Sequence, residues 1–205
     1  IIPYHQDRDY LFDAIESYEA QEFRGTSELI LSHNSNFSQG QNINAGLRNV
    51  NGKYIKILHD DDLLTPNCLQ DLFDKAEQEQ ADVVFADAHN FYSEGGSLFE
   101  TEGILTSNFN SISLLNLLES NFIIGPTTLY RTEMFRNVGG FDESLWTVEE
   151  YEFHLRCLSQ GYKFICLPQV VVNYRIWPSS KSIQYRLNKS EERLKLIESI
   201  KERFQ

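Results

Sequence analysis

Between Ile1 and Ala86, short apolar runs alternate with stretches whose apolar residues recur at helical spacing, and this alternation limits the folds open to the chain. Ile1-Ile2 reads as the end of a buried strand. Tyr10, Leu11, Ala14, Ile15 and Tyr18 then mark one face of a helix that stops by Gly25. Leu29-Ile30-Leu31 predicts a second strand, giving way to the loop cluster Ser32-His33-Asn34-Ser35-Asn36. Gln41 to Val50 predicts a short helix, Asn51-Gly52 a turn, and Lys53 to Leu58 a strand that runs out on His59-Asp60-Asp61-Asp62. Thr65-Pro66 has the form of a helix start, a hydroxyl cap followed by proline, with Leu69, Leu72, Phe73 and Ala76 as its stripe. Val83 to Ala86 is the next buried strand. Strands separated by helices favour a parallel sheet, and such sheets bind ligands in the crevice at the strands' carboxyl ends. The expected fold is α/β, one domain with a Rossmann-like, mostly parallel central sheet flanked by helices. The three acids fall at that crevice.

Beyond Ala86 the pattern changes. His89 to Thr106 breaks into short glycine-punctuated pieces, predicting a small additional β element, and Ile112, Leu114, Leu115, Leu117 and Leu118 predict another helix. From Ile183 through Leu187, Leu194, Ile197 and Phe204 the chain predicts a C-terminal amphipathic helix, dense in charge on its other face. Such a helix packs on its own domain, contacts a second copy, or leads into a further domain; all three stay open here.

Composition narrows the partners. A net charge of -12 repels polyanions and no cluster of Lys and Arg offsets it, which argues against nucleic acid. No run approaches the roughly 20 apolar residues of a membrane span, so no transmembrane segment is expected. Ile1-Ile2-Pro3 is too short for a signal peptide, and a chain beginning on an apolar pair without methionine reads as lacking the start of its first strand. Cys68, Cys157 and Cys166 form neither a zinc spacing nor a disulfide framework, which fits a cytoplasmic setting, with peripheral membrane attachment left open.

Three consecutive aspartates repel one another unless they are solvated or share a cation, and oxygen ligands of this kind select Mg²⁺ or Mn²⁺. Acids just before a helix also stabilise its positive end with no metal involved. Their place after the apolar strand Tyr54 to Leu58 favours the metal.

Ile1-Ile2-Pro3-Tyr4, the Asn-Ala-Gly at 44–46 within Gln39 to Leu47, and Gly52-Lys53-Tyr54-Ile55-Lys56-Ile57-Leu58-His59-Asp60-Asp61-Asp62 with Pro66 occur in an order and spacing that resemble glycosyltransferase family 2. The resemblance continues through Gly125-Pro126-Thr127-Thr128-Leu129-Tyr130-Arg131, Val138-Gly139-Gly140-Phe141-Asp142-Glu143 and the segment from Val170 to Ser182. It implies a GT-A domain over 1–182, with a nucleotide-binding half at about 1–90 and an acceptor side at about 91–182, followed by the helical segment 183–205. It also implies an inverting, metal-dependent transferase moving sugar from a nucleoside diphosphate donor, UDP-sugar favoured, to a carbohydrate or glycolipid acceptor. The implied metal ligands are Asp61, His59 and Asp62, for Mn²⁺ or Mg²⁺. Glu150 takes the catalytic base's place, and Glu149 contacts the acceptor or supports the base. Pro3, Tyr4, His33, Asn34, Asn42, Asp60 and Arg175 are the implied donor contacts, and Lys181 a further phosphate candidate.

Three positions and one segment depart from the family pattern. His59 stands for the first aspartate of D-x-D, and either shares the metal or lines the nucleotide pocket. Glu150 stands for the usual aspartate, Trp177 for a frequent histidine, and Ser32-His33-Asn34-Ser35 for an Asp-Asp-Gly-Ser-like segment. These departures also suit a degenerate sugar-nucleotide-binding domain. A sugar nucleotidyltransferase, the other rival, lacks here the Gly-rich, basic loop that would cradle a triphosphate. His5, His89 and His154 have no ligand spacing and read as structural.

Overall fold

A computed structural model describes residues 1–6, 9–94, 97–100, 111–178, 180, 183–184 and 190–205. Strand β1 (Ile2–Tyr4) pairs in parallel with β2 (Leu31–His33), Ile2 opposite Leu31 and Tyr4 opposite His33. The Ile1 amino group donates to the Lys56 carbonyl at 2.7 Å and the Leu58 amide to the Ile1 carbonyl at 3.0 Å, which ties this pair to β3 (Tyr54–Lys56). From β3 the main sheet runs through β7 (Leu129–Arg131), β5 (Val83–Glu94) and β8 (Phe164–Ile176) to β4 (Leu63–Leu64), with β6 (Ser97–Glu100) as a hairpin partner of β5.

The α/β class holds, with helices on both faces of the curled sheet, but the sheet is mixed rather than mostly parallel. β5 and β8 are parallel, whereas β7 runs against both β3 and β5, β4 against β8, and β6 against β5. Helical spacing predicts parallel neighbours only where the helix crosses back over the sheet. The β5–β6 link is a hairpin, and β7 is entered from the 3₁₀ turn Gly125–Thr127 instead.

Burial follows the pleat. Val83 and Phe85 point into one core with Ile43, Ile55, Tyr130 and Phe153; Val84 and Ala86 point into the other with Ala14, Leu72, Leu129 and Val172. Both sheet faces are covered, which is why β5 opens as an unbroken apolar run. The first core is closed by α2 (Gln39–Leu47), α5 (Thr132–Val138) and α6 (Glu149–Ser159), and the second by α1 (Asp9–Glu19) and α3 (Cys68–Glu79). A further short helix, α4 (Leu114–Glu119), packs against α6.

Two sequence expectations shift. The second strand lies two residues later than its apolar run, because Ser32 is buried by donating its hydroxyl to the Asn42 carbonyl at 2.6 Å. Helix α3 starts at Cys68 rather than Pro66, since the Thr65 hydroxyl donates across to the Val171 carbonyl at 3.3 Å instead of capping. The last helix, α7 (Ser190–Glu202), docks on its own domain: Ile200 is buried, Leu196, Ile197 and Phe204 pack on the first core, and Arg203 reaches Glu152 at 3.1 Å. Lys181 and Leu187 lie outside the described residues. Among the described residues no helix is long and apolar enough to cross a membrane.

Candidate active site

Past β3, Ile57 and Leu58 stay buried, and the chain then turns sharply, the Asp62 amide donating to the His59 carbonyl at 3.2 Å. That turn drives Asp62 fully inward. Its Oδ1 accepts the Arg175 backbone N–H at 2.9 Å, while its Oδ2 has no hydrogen-bond partner among the described residues and lies 3.7 Å from His59 Nδ1. Burial, then the neighbouring charge of Asp61, pushes the Asp62 carboxyl well above its ordinary range. Asp61 is more open, and its Oδ2 accepts the Trp177 indole N–H at 2.8 Å.

Arg175 braces this turn from β8. Its Nε donates to the Asp61 carbonyl at 2.7 Å and its terminal nitrogen to Asp13 at 2.9 Å, with the guanidinium held between the Tyr10 and Phe91 rings. At 4% exposure it has no face left for a phosphate, so the expected donor contact is corrected to a structural one. A planar fork satisfies such a pocket as an ammonium would not.

The second wall of the site comes from α6. Gly139-Gly140-Phe141 is clamped from two sides. Asn44 accepts the Phe141 N–H and donates to the Phe141 carbonyl, both at 2.9 Å, and Arg156 donates to the carbonyls of Val138 and Gly140. A Cβ on Gly140 would come 2.3 Å from Asn44 Oδ1, so the clamp requires glycine. The Asn-Ala-Gly and Gly-Gly-Phe-Asp-Glu segments, 97 residues apart at this contact, thus lock together. The chain enters α6 through Val148 at φ 57°, a left-handed conformation that a β-branched residue rarely adopts.

This entry aims Glu150 at the acid turn, with its Oε1 3.2 Å from His59 Nε2. Its Oε2 lies over Gly125, where a Cβ would come within 1.9 Å. Gly125 opens the 3₁₀ turn, whose carbonyl at Pro126 accepts a hydrogen bond from the Lys56 ammonium. Gln39, at the start of α2, places its amide nitrogen 2.8 Å from the same His59 Nε2. Burial disfavours the His59 cation, but the charge and hydrogen bond of Glu150, with Asp62 and Asp61 behind, outweigh it and raise its pKa to about 9. His59, Asp61 and Asp62 each offer a ligand atom within 4.8 Å of the others.

A profile of glycosyl transferase family 2 matches residues 6–139. The chain belongs to glycosyl transferase family 2. An uncharacterized glycosyltransferase of Methanocaldococcus jannaschii is 23% identical over 180 residues, covering 87% of this chain and 60% of its own length. Another, of Rickettsia felis, is 26% identical over 187 residues, covering 77% of this chain and 31% of its own length. The chain therefore spans less than two thirds of either relative. S. aureus TarS 1–349 in complex with UDP-GlcNAc superposes with a TM-score of 0.72 at 16% identity, covering 97% of this chain and 64% of that one. The same protein with UDP gives 0.67 at 17% identity, covering 87% and 60%. At such identities the likeness is one of fold.

Within this family 2 domain the expected donor contacts divide. Tyr4 and His33, the last residues of β1 and β2, stack at a 4.6 Å ring separation, and His33 is exposed. Asn34 and Asp60 are partly open, Asn34 spending its side-chain oxygen on the Asn36 N–H at 2.9 Å. Pro3 is buried in β1. Asn42 is buried outright, its amide donating to the carbonyls of Asn34 at 3.2 Å and Tyr4 at 3.4 Å, so it shapes the pocket wall and does not reach into it. Glu149 is 5% exposed with its stem near Gly40, between α6 and α2, a place that suits support of the base better than contact with an acceptor.

Sequence reading missed Gln39, Lys56, Asn44, Gly125 and Asp13 as members of the site. Gln39, Asn44, Lys56 and Gly125 lay inside quoted motifs and were detectable there; Asp13 carries no local signal. A cavity of about 660 Å³, largely apolar, opens at the amino ends of β1 to β3, lined by Ile1, Tyr18, Leu29, Val50, Tyr54 and Phe73. None of His59, Asp61, Asp62 and Glu150 lines it, although Lys56 does.

Proposed function

We propose that this domain transfers a sugar, with inversion, from a nucleoside diphosphate donor to a hydroxyl of a carbohydrate or glycolipid acceptor, aided by Mn²⁺ or Mg²⁺. The observation that carries the proposal is the meeting of two distant segments at one point: the acid turn after β3 and Glu150 on α6, touching through His59. The family supports the reaction class. The TarS complexes with UDP and UDP-GlcNAc support a UDP-sugar as donor.

The residues fit a divalent ion. The buried Oδ2 of Asp62 has no hydrogen-bond partner among the described residues and can serve a cation, and Asp61 keeps one oxygen beyond the one taken by Trp177. Two carboxylates and an imidazole suit Mn²⁺ better than Mg²⁺. When bound, the ion would supply positive charge to a diphosphate that this acidic chain would otherwise repel. Ligation by His59 requires its imidazolium to release a proton.

In this reading Asp61, Asp62 and His59 hold the ion, and Tyr4, His33, Asn34 and Asp60 line the nucleotide side. Glu150 takes the proton from the attacking acceptor hydroxyl at Oε1 or Oε2. Gly125 keeps the floor beneath that carboxylate free, and Arg175 and Asn42 hold the loops. Displacement by the hydroxyl on the face opposite the leaving diphosphate inverts the anomeric carbon. The nucleotide half would be about 1–90 and the acceptor side about 91–182.

The test is donor hydrolysis over UDP-, GDP- and dTDP-sugars with Mn²⁺, Mg²⁺ or EDTA. Metal-dependent nucleoside diphosphate release from one donor is expected, lost in Asp61→Ala. Glu150→Gln should reduce it about 10²–10⁴-fold with donor binding retained. Metal-independent binding without turnover on any donor would instead indicate a domain that binds sugar nucleotides and has lost the chemistry.

A further inference from the structure

We infer that His59 is a positioning residue joining the metal site to the base, one ring nitrogen turned to the cation and the other holding Glu150. The inference rests on the metal reading above and goes beyond it, because it makes the base part of the metal's own support.

The imidazole sits between the two groups with its edges facing opposite ways. Nδ1 lies 3.7 Å from the unpartnered Oδ2 of Asp62, and Nε2 lies 3.2 Å from Glu150 Oε1. Two atoms 3.7 Å apart can both ligate one ion at ordinary bond lengths of about 2.1 Å, at an angle of about 120°. The other ring N–H of a ligating histidine almost always donates to a carboxylate or carbonyl, which fixes the tautomer and aims the ring. Here that acceptor is Glu150; the Gln39 amide nitrogen lies 2.8 Å from the same ring nitrogen, and the Gln39 side chain joins as a second acceptor when its amide is turned to present the oxygen.

Two departures from the family pattern then explain each other. An aspartate at position 59 would present a second negative charge to Glu150 and donate nothing to it. An aspartate at position 150 would be one methylene shorter and would not span to the ring. Histidine with glutamate makes a contact that neither makes with the family's usual residue. Gly125 completes the arrangement, since the space for the longer carboxylate exists only where no Cβ stands.

The experiment measures Mn²⁺ affinity of the full chain by calorimetry without donor, so that it does not depend on turnover. Glu150→Ala, though remote from the metal, is expected to weaken Mn²⁺ about 10-fold or more, as loss of an outer partner of a metal-binding histidine does. His59→Ala should weaken it at least as much, and in His59→Ala/Glu150→Ala the second change should cost nothing further. Glu150→Asp keeps the charge and loses the reach, and should weaken Mn²⁺ as Glu150→Ala does. Wild-type affinity in Glu150→Asp, or additive losses in the double variant, would reduce Glu150 to a nearby charge and overturn the link. Unchanged affinity in His59→Ala with a large loss in Asp61→Ala would overturn it while leaving the metal site standing. Absence of Mn²⁺ binding in the wild type would remove both readings. Circular dichroism of each variant, with Glu150→Asp as the least disruptive, separates loss of folding from loss of the contact.

Discussion

At the scale of single residues, the site depends on what two side chains lack and what one supplies. Gly125 supplies empty space: alanine there would put a methyl 1.9 Å from the present position of Glu150 Oε2 and force that carboxylate aside. Gly125→Ala should therefore lower kcat about 100-fold with donor KM and fold retained, checked by steady-state kinetics beside circular dichroism. Trp177 supplies an N–H, which fixes one oxygen of Asp61 and places an indole beside the proposed metal position. Titration with Mn²⁺ should quench tryptophan fluorescence. Trp177→Phe, leaving Trp146 as the other indole, should abolish most of that change and weaken Mn²⁺ several-fold. Arg175 has no freedom to serve a ligand. Arg175→Lys removes a fork bonded to Asp13 and Asp61, so thermal unfolding should show a loss of about 2–4 kcal/mol with no selective rise in donor KM. A selective KM effect at unchanged stability would return it to the phosphate.

At the scale of elements, sequence reading succeeded where burial is continuous. The run Val83 to Ala86 is legible because a sheet covered on both faces leaves no polar alternation to confuse it. Strand direction was not legible for β7, whose three residues carry no mark of which end enters first. The acids and Glu150 could be placed because they sit in contiguous motifs. Asn42 and Arg175 were misread because a polar residue looks the same in sequence whether it faces a ligand or pins a carbonyl. The His59–Glu150 contact spans 91 positions and arises only after α6 has docked, so no local pattern could announce it.

At the scale of the whole molecule, the first core contains a histidine that the fold keeps neutral. His154 is fully buried against Tyr130, with its Nε2 2.8 Å from the phenol oxygen. Burial lowers its pKa from 6.5 to about 4, the charge of Glu150 opposing but not prevailing. The unfolded chain takes up a proton near 6.5, and the folded chain only near 4. Stability from this group is therefore complete above pH 6.5 and is lost as pH falls from there through about 4, by on the order of 3 kcal/mol in total. Denaturant midpoints from pH 7 to 4 should fall more steeply for the wild type than for His154→Gln.

Val148 is also spread through the whole molecule in its effect. A valine at φ 57° sits uphill by about 1–3 kcal/mol, and at the N-cap of α6 it offers no side-chain oxygen to the helix. Asparagine tolerates that backbone with less strain, so Val148→Asn should raise the melting temperature. Turnover should fall if the strained entry is what aims Glu150. The domain would then be a spring held slightly wound, whose most stable sequence is not its most active one.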